Sequence, residues 1–137
     1  MIALTRRYHF PAAHVLASPR FSDAENERIY GKCANPAGHG HDYGLEITVT
    51  GELDPNSGRI VDREALDALV EERVVSRFGH RMLNRDPAFA ERVPTAENVA
   101  AVIHAELDAP LRSAGARLVR VRLRETRRNS FVYGDPE

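Results

Sequence analysis

Residues 43–53 set the first constraint on the fold. Tyr43, Leu45, Ile47, Val49 and Leu53 share one phase of a two-residue period, with Glu46, Thr48, Thr50 and Glu52 on the other. Side chains alternate faces along a strand, so this segment belongs in a sheet with one face buried. Followed backward, the apolar phase takes in His41 and His39. If the strand begins by His39, both imidazoles point to the buried face. Residues 2–10 alternate as well, with Ile2, Leu4, Tyr8 and Phe10 opposite Thr5, Arg7 and His9. Arg6 interrupts that apolar face, and the phase runs on through Ala12 to His14, with an edge or bend expected at Pro11. Residues 117–126 repeat the pattern, Val119, Val121 and Leu123 against Arg120, Arg122 and Arg124, and 131–133 form a short last strand.

Between these strands the period changes. Asp62 reads as an N-cap, and Ala65, Leu66, Leu69 and Val70 follow at helical spacing. Thr95 reads as the cap of a second helix, with Val99, Val102, Ile103 and Leu107 as its stripe and Pro110 near its end. The segment DPNSG, 54–58, is a turn. Residues 16–38 read as one long connection, and its Cys and His content marks it as functional rather than disordered. The expected class is α+β, in the order ββααββ: a four-stranded antiparallel sheet with two helices on one face, in a single domain over 1–137.

Composition narrows the function. Lys+Arg 19 against Asp+Glu 20 gives a net charge of -1, which offers no global attraction to nucleic acid or to an anionic membrane. No apolar run is long enough to cross a bilayer. The first ten residues carry no apolar core of a signal peptide, and the single cysteine excludes an internal disulfide. A cytoplasmic location is expected. A chain with 6 histidines and no tryptophan has its chemistry concentrated in imidazoles.

His-x-His on one strand face is a natural metal chelate, and His14 ends another apolar phase. Three neutral imidazoles with an open fourth position suit a catalytic Zn²⁺. Hydrogen-bonded histidines without metal are the plainer alternative. Cys33, in a Gly-Lys-Cys-x-Asn-Pro loop, is a further ligand, a nucleophile or base, or an inert thiol. Glu125 continues the phase of Val119, Val121 and Leu123, so its carboxylate faces the buried side and needs a partner. That partner is an arginine of the protein, or a ligand with two adjacent N–H donors. Glu97 sits in the first turn of the second helix, where the dipole favours a carboxylate. His80, in FGHRMLN, is a general acid or base or a surface histidine. His9 and His104 are assigned to structure.

Taken in order, these segments resemble the 6-pyruvoyl-tetrahydropterin synthase family of the tunnelling fold. The resemblance is carried by FPAAH at 10–14, GKCANPAGHGHDY at 31–43, GELDPNSGRIVD at 51–62, HRMLN at 80–84, PTAENVA at 94–100 and RET at 124–126. It implies a lyase that converts 7,8-dihydroneopterin triphosphate to 6-pyruvoyl-tetrahydropterin with loss of triphosphate. It implies Zn²⁺ on His14, His39 and His41, proton transfer by Cys33 and His80, and a pterin anchor at Glu125 helped by Thr95 and Glu97. It also implies a homohexamer, a dimer of trimers with active sites between subunits.

Two features bear on alternatives. Five residues separate Cys33 from His39, the spacing of the pyruvoyl type. Relatives that make 6-carboxytetrahydropterin for queuosine resemble a shorter Cys-x3-His-Gly-His pattern. The family's Asp before the catalytic histidine is here Gly79. Either another acid, such as Asp86 or one from a neighbouring subunit, takes its place, or the chemistry is altered. The competing readings are 6-carboxytetrahydropterin synthase, a folate-pathway lyase on the same scaffold, and a pterin- or zinc-binding protein without turnover.

Overall fold

The computed structural model describes residues 1–136. Strand β1 (Ala3–His14) pairs antiparallel with β2 (His39–Gly51), β2 with β4 (Ala116–Arg124), and β4 with β5 (Ser130–Gly134). The sheet has five strands rather than the expected four. The addition is β3 (Arg81–Met82), which lies parallel to β1 beside Ala12 and Ala13, giving the order β3-β1-β2-β4-β5. Two residues are too short to show a period, so sequence patterning could not reveal β3.

The strand phases hold along the middle of each strand but not at the ends: β2 stops at Gly51, so Leu53 is exposed, as is Ile2 before β1, while Thr48 and Thr50 on the opposite phase are buried. Phe10, Ala12 and His14 are buried on β1, as are Tyr43, Leu45, Ile47 and Val49 on β2, and Val121 and Leu123 on β4. The β2–β4 register shifts between Thr48 and Val49, because Val49 faces Leu118 and skips Val119. That bulge explains why Leu118 and Val119 are both buried although they are neighbours. Arg6, the break in the apolar face of β1, is bound by Asp67, which also accepts from the Tyr8 hydroxyl at 2.6 Å.

Helix α2 (Arg63–Val70) starts at Asp62, whose carboxylate accepts from the Ala65 amide. It runs through a π turn (Glu71–Val75) into the short α3 (Ser76–Phe78). Leu66, Val70, Val74 and Phe78 form its buried stripe. Helix α4 (Ala96–Ser113) is capped by Thr95 and packs on β4 and β5 through Val99, Ile103, Leu107 and Leu111. It passes Pro110 and ends one turn later than expected, since a proline near the C-terminus removes only one hydrogen bond.

The stretch 16–38 is not wholly irregular: it contains α1 (Asp23–Tyr30). Ser22 and Glu25 close a full capping box, the sequence sign of this helix. Its apolar stripe is almost absent, and its one buried side chain is Asn26, which exchanges hydrogen bonds with the Ser18 backbone.

An ion-pair cluster fixes the segment after α3. Both Asp86 oxygens accept from Arg77, at 3.0 and 2.8 Å, and Arg77 also meets Glu106 of α4 at 2.9 Å. Arg77 holds the Asp86 carboxyl below its ordinary range. A carboxyl depressed in the folded state stabilises fully above its unfolded pKa of about 3.9, and that stability is lost as pH falls through the lower folded value. Asp86→Asn is expected to cost about 2 kcal/mol at pH 7 by urea denaturation. The difference from the natural chain should shrink once the pH is below about 4.

Candidate metal and substrate site

The register that pairs β1 with β2 sets His14 directly opposite His39, and Ala12 opposite His41. All three imidazoles therefore gather at one end of the sheet, on its helix-covered face. His14 is fully buried and the other two are partly buried. Nε2 of His14 lies 2.9 Å from Nε2 of His39 and 3.1 Å from Nε2 of His41. The donor atoms of the three residues all lie within 4.8 Å of one another.

The Pro94 carbonyl, just before α4, lies 2.8 Å from His14 Nδ1. A carbonyl only accepts, so Nδ1 carries the proton and Nε2 presents a bare lone pair. One lone pair cannot satisfy two N–H donors, whereas a cation satisfies three lone pairs at once. Four-coordinate Zn²⁺ with Zn–N near 2.0–2.1 Å puts neighbouring nitrogens about 3.3 Å apart, close to what is observed. His39 Nδ1 is buried without a hydrogen-bond partner, the position its proton takes if Nε2 is a ligand. Burial, and then the charges of His39 and His41, lower the His14 pKa to about 4 against the opposing pull of Pro94. Burial and then His41 lower that of His39. Both shifts favour the neutral form of His14 and His39, the form that metal binding requires.

The other expected site residues divide into two groups. Cys33 lies in a 3₁₀ turn (Gly31–Ala34) and is half-buried. Its carbonyl accepts from Leu16 N at 2.8 Å, which ties the cysteine loop to the end of β1. Asn35 closes that loop, its side chain accepting from Ala37 N and its carbonyl from Gly38 N. Glu125 follows the last residue of β4, and its side chain is 14% exposed. Its Oε2 is 3.9 Å from His14 Nε2, too far for a hydrogen bond. Neither carboxylate oxygen accepts a hydrogen bond among the described residues, so the arginine partner is not realised. Tyr43 joins the two groups. Its hydroxyl lies 3.3 Å from His14 Nδ1, and its phenol is pushed up by burial, then by Glu125 and Cys33. Sequence reasoning placed Tyr43 on the correct face but not in the site. The Pro94 carbonyl, a main-chain group, leaves no trace in residue identity.

His80 stands apart. It is exposed at the start of β3, with a left-handed backbone, φ 59°. No hydrogen bond joins it to Cys33 among the described residues. A non-glycine residue in that region costs about 1–3 kcal/mol. Gly79 cannot be replaced freely, since a Cβ there would lie 2.5 Å from the Val75 carbonyl oxygen. Asp86 does not stand in for an acid at 79, because Arg77 and the Ala88 amide engage both its oxygens. Thr95 uses its hydroxyl on the Asn98 amide at 3.2 Å, and Glu97 is exposed in the first turn of α4.

A sequence profile described as 6-pyruvoyl tetrahydropterin synthase matches residues 3–136. The human 6-pyruvoyl tetrahydrobiopterin synthase is 41% identical over 131 residues, 95% of this chain and 89% of that protein. The 6-carboxy-5,6,7,8-tetrahydropterin synthase of Bacillus subtilis is 31% identical over 136 residues, covering 95% and 83%. The solved 6-pyruvoyl tetrahydropterin synthase of Caenorhabditis elegans superimposes with a TM-score of 0.90 at 36% identity, over 98% of this chain and 96% of that one.

His39→Ala removes one of three converging nitrogens. By metal titration it is expected to weaken divalent-metal affinity by more than about 100-fold, beyond the range of an outer-shell change. Circular dichroism should show the fold retained, since His39 is only partly buried at a strand end.

Proposed function

The chain belongs to the 6-pyruvoyl tetrahydropterin synthase family, and on that premise we propose that it is a Zn²⁺-dependent lyase. Its substrate is 7,8-dihydroneopterin triphosphate and its products are 6-pyruvoyl-tetrahydropterin and triphosphate. The observation that carries this reading is the convergence of three imidazoles beside a partly buried carboxylate, Glu125, that accepts no hydrogen bond among the described residues. Greater identity to the 6-pyruvoyl relatives than to the 6-carboxy relative, and the Cys-x5-His-Gly-His spacing, favour it over 6-carboxytetrahydropterin synthase.

His14, His39 and His41 would hold the ion, with the Pro94 carbonyl fixing the tautomer of His14. Zn²⁺ there supplies Lewis acidity that stabilises the oxyanion developing on the substrate side chain. Glu125 accepts two adjacent N–H groups from the pterin edge, which gives its carboxylate the hydrogen-bond donors it lacks within the chain. Cys33 takes the proton from the substrate side chain, and His80 shuttles it. Thr95 and Glu97 are assigned supporting contacts to substrate on the resemblance alone. Within one chain Cys33 and His80 are not joined, which supports a site completed between copies.

The sheet edges support assembly too. β3 covers only Ala12 and Ala13, so β1 keeps an open edge over most of its length, and β5 is the opposite open edge. Open edges invite strand pairing. A homohexamer of two trimers is expected by light scattering at micromolar concentration, and a monomer would contradict the shared site.

Glu125→Gln replaces one acceptor with a donor facing a donor. The expected loss in pterin affinity is about 2–5 kcal/mol by calorimetry, with little change in melting temperature. Unchanged affinity with a large fall in melting temperature would make Glu125 structural. Release of triphosphate from dihydroneopterin triphosphate, with the product identified by mass, tests the activity itself. His80→Ala should nearly abolish that release.

A further inference from the structure

His80 is the one non-glycine residue with a left-handed backbone among the described residues. Its amide donates to the Pro11 carbonyl at 2.6 Å, so β1 holds it in that conformation. Strain maintained by the sheet at an exposed side chain aims that side chain. His80 shares one surface depression with Pro11, His41, Asp42, Arg81 and Met82. On the other side of β1, Pro11 pairs with Asp42 of β2. His80 and Asp42 therefore flank the same proline from opposite sides.

Two inter-strand spacings separate their Cα atoms by about 10 Å. An imidazole and a carboxylate leaning toward each other span that distance with one hydrogen bond of about 2.8 Å. Between them the proline ring offers no hydrogen-bonding atom. Asp42 is exposed on the phase opposite His41, and its carboxylate has no hydrogen bond or ion pair among the described residues. At position 79, beside His80 in sequence, a Cβ would lie 2.5 Å from the Val75 carbonyl oxygen, so a side chain there requires the backbone to shift.

We infer that Asp42 is the positioning carboxylate of His80. In the working site it would accept the imidazole N–H across Pro11, a bond not formed in this structure, and so fix the tautomer and ring orientation with which His80 meets substrate. This rests on the reading of His80 as a proton carrier. Arg81, which lines the same depression, is the competing partner for Asp42.

The test measures turnover of dihydroneopterin triphosphate by the zinc-loaded natural chain, Asp42→Asn, Asp42→Glu, His80→Ala and the double variant Asp42→Asn/His80→Ala. Zinc content and the ¹⁵N spectrum of the histidine rings are recorded for each. Asp42→Asn is expected to lower kcat about 10- to 100-fold, the usual effect of losing an orienting partner, with KM and zinc content unchanged. Asp42→Glu should recover part of that loss. The double variant should be no slower than His80→Ala, and the His80 ring nitrogens should change tautomer signature in Asp42→Asn. An unaltered His80 ring spectrum in Asp42→Asn overturns the inference. So do losses that multiply in the double variant, the result expected if Asp42 serves Arg81. Full turnover by His80→Ala sinks the proton-carrier reading instead, and the ring spectrum then decides the Asp42 contact alone.

Discussion

The register of β1 against β2 is the constraint on which the rest of the site depends. Side chains alternate faces, so a slip of one residue would turn His14, Ala12 and Phe10 outward together. Phe10 and Tyr43 stack at 5.2 Å between ring centroids in the buried layer, one same-face step from His41 and two from the His14–His39 pair. Burying the Phe10 ring stabilises by roughly 1.5–3 kcal/mol, and that contribution and its stacking on Tyr43 are lost in the slipped register. The aromatic core thereby enforces the pairing that brings His14 opposite His39. The convergence of the three imidazoles is inherited from packing, without a loop having to order itself.

That inheritance explains which parts were legible from sequence. The buried phases of β1, β2 and β4 run for many residues, so their alternation marks strand, face and the direction of His39, His41 and Glu125. Caps at Asp62 and Thr95 mark the starts of α2 and α4. What escaped was short, polar or main-chain. β3 is too brief to have a period, and α1 has a capping box but no apolar stripe. The Pro94 carbonyl and the left-handed backbone at His80 belong to the chain's path rather than to any residue type. The bulge at Val119 escaped because two adjacent valine and leucine side chains read as alternation on either phase.

Protein groups at the site fall into two kinds. Asp86 has both carboxylate oxygens engaged by Arg77 and the Ala88 amide, so its chemistry is spent on structure. His39 Nδ1 is buried without a hydrogen-bond partner, and the partly buried Glu125 carboxylate accepts no hydrogen bond among the described residues. Burying an unsatisfied polar group costs about 1–3 kcal/mol, more for a charge. A fold whose strands are otherwise well satisfied keeps such groups only where something else completes them. Both flank His14, the one ring already locked by a main-chain acceptor. These atoms thus lie around a fixed point, the arrangement that the proposed ion and substrate would complete.

Gly79 follows from helix termination. The Gly79 amide donates to the Val75 carbonyl at 2.9 Å, closing the last turn of α3, and the chain then leaves in extended conformation. That closure brings the Val75 oxygen to where a Cβ would stand. It also delivers His80 to β1 at once, with no intervening residue to absorb the change in direction. The left-handed backbone of His80 is the consequence, and its bond to Pro11 is what holds it. A side chain at 79 would have to push the helix end away from β1 and would loosen the histidine it was meant to support. In this backbone a carboxylate for His80 has to come from another strand.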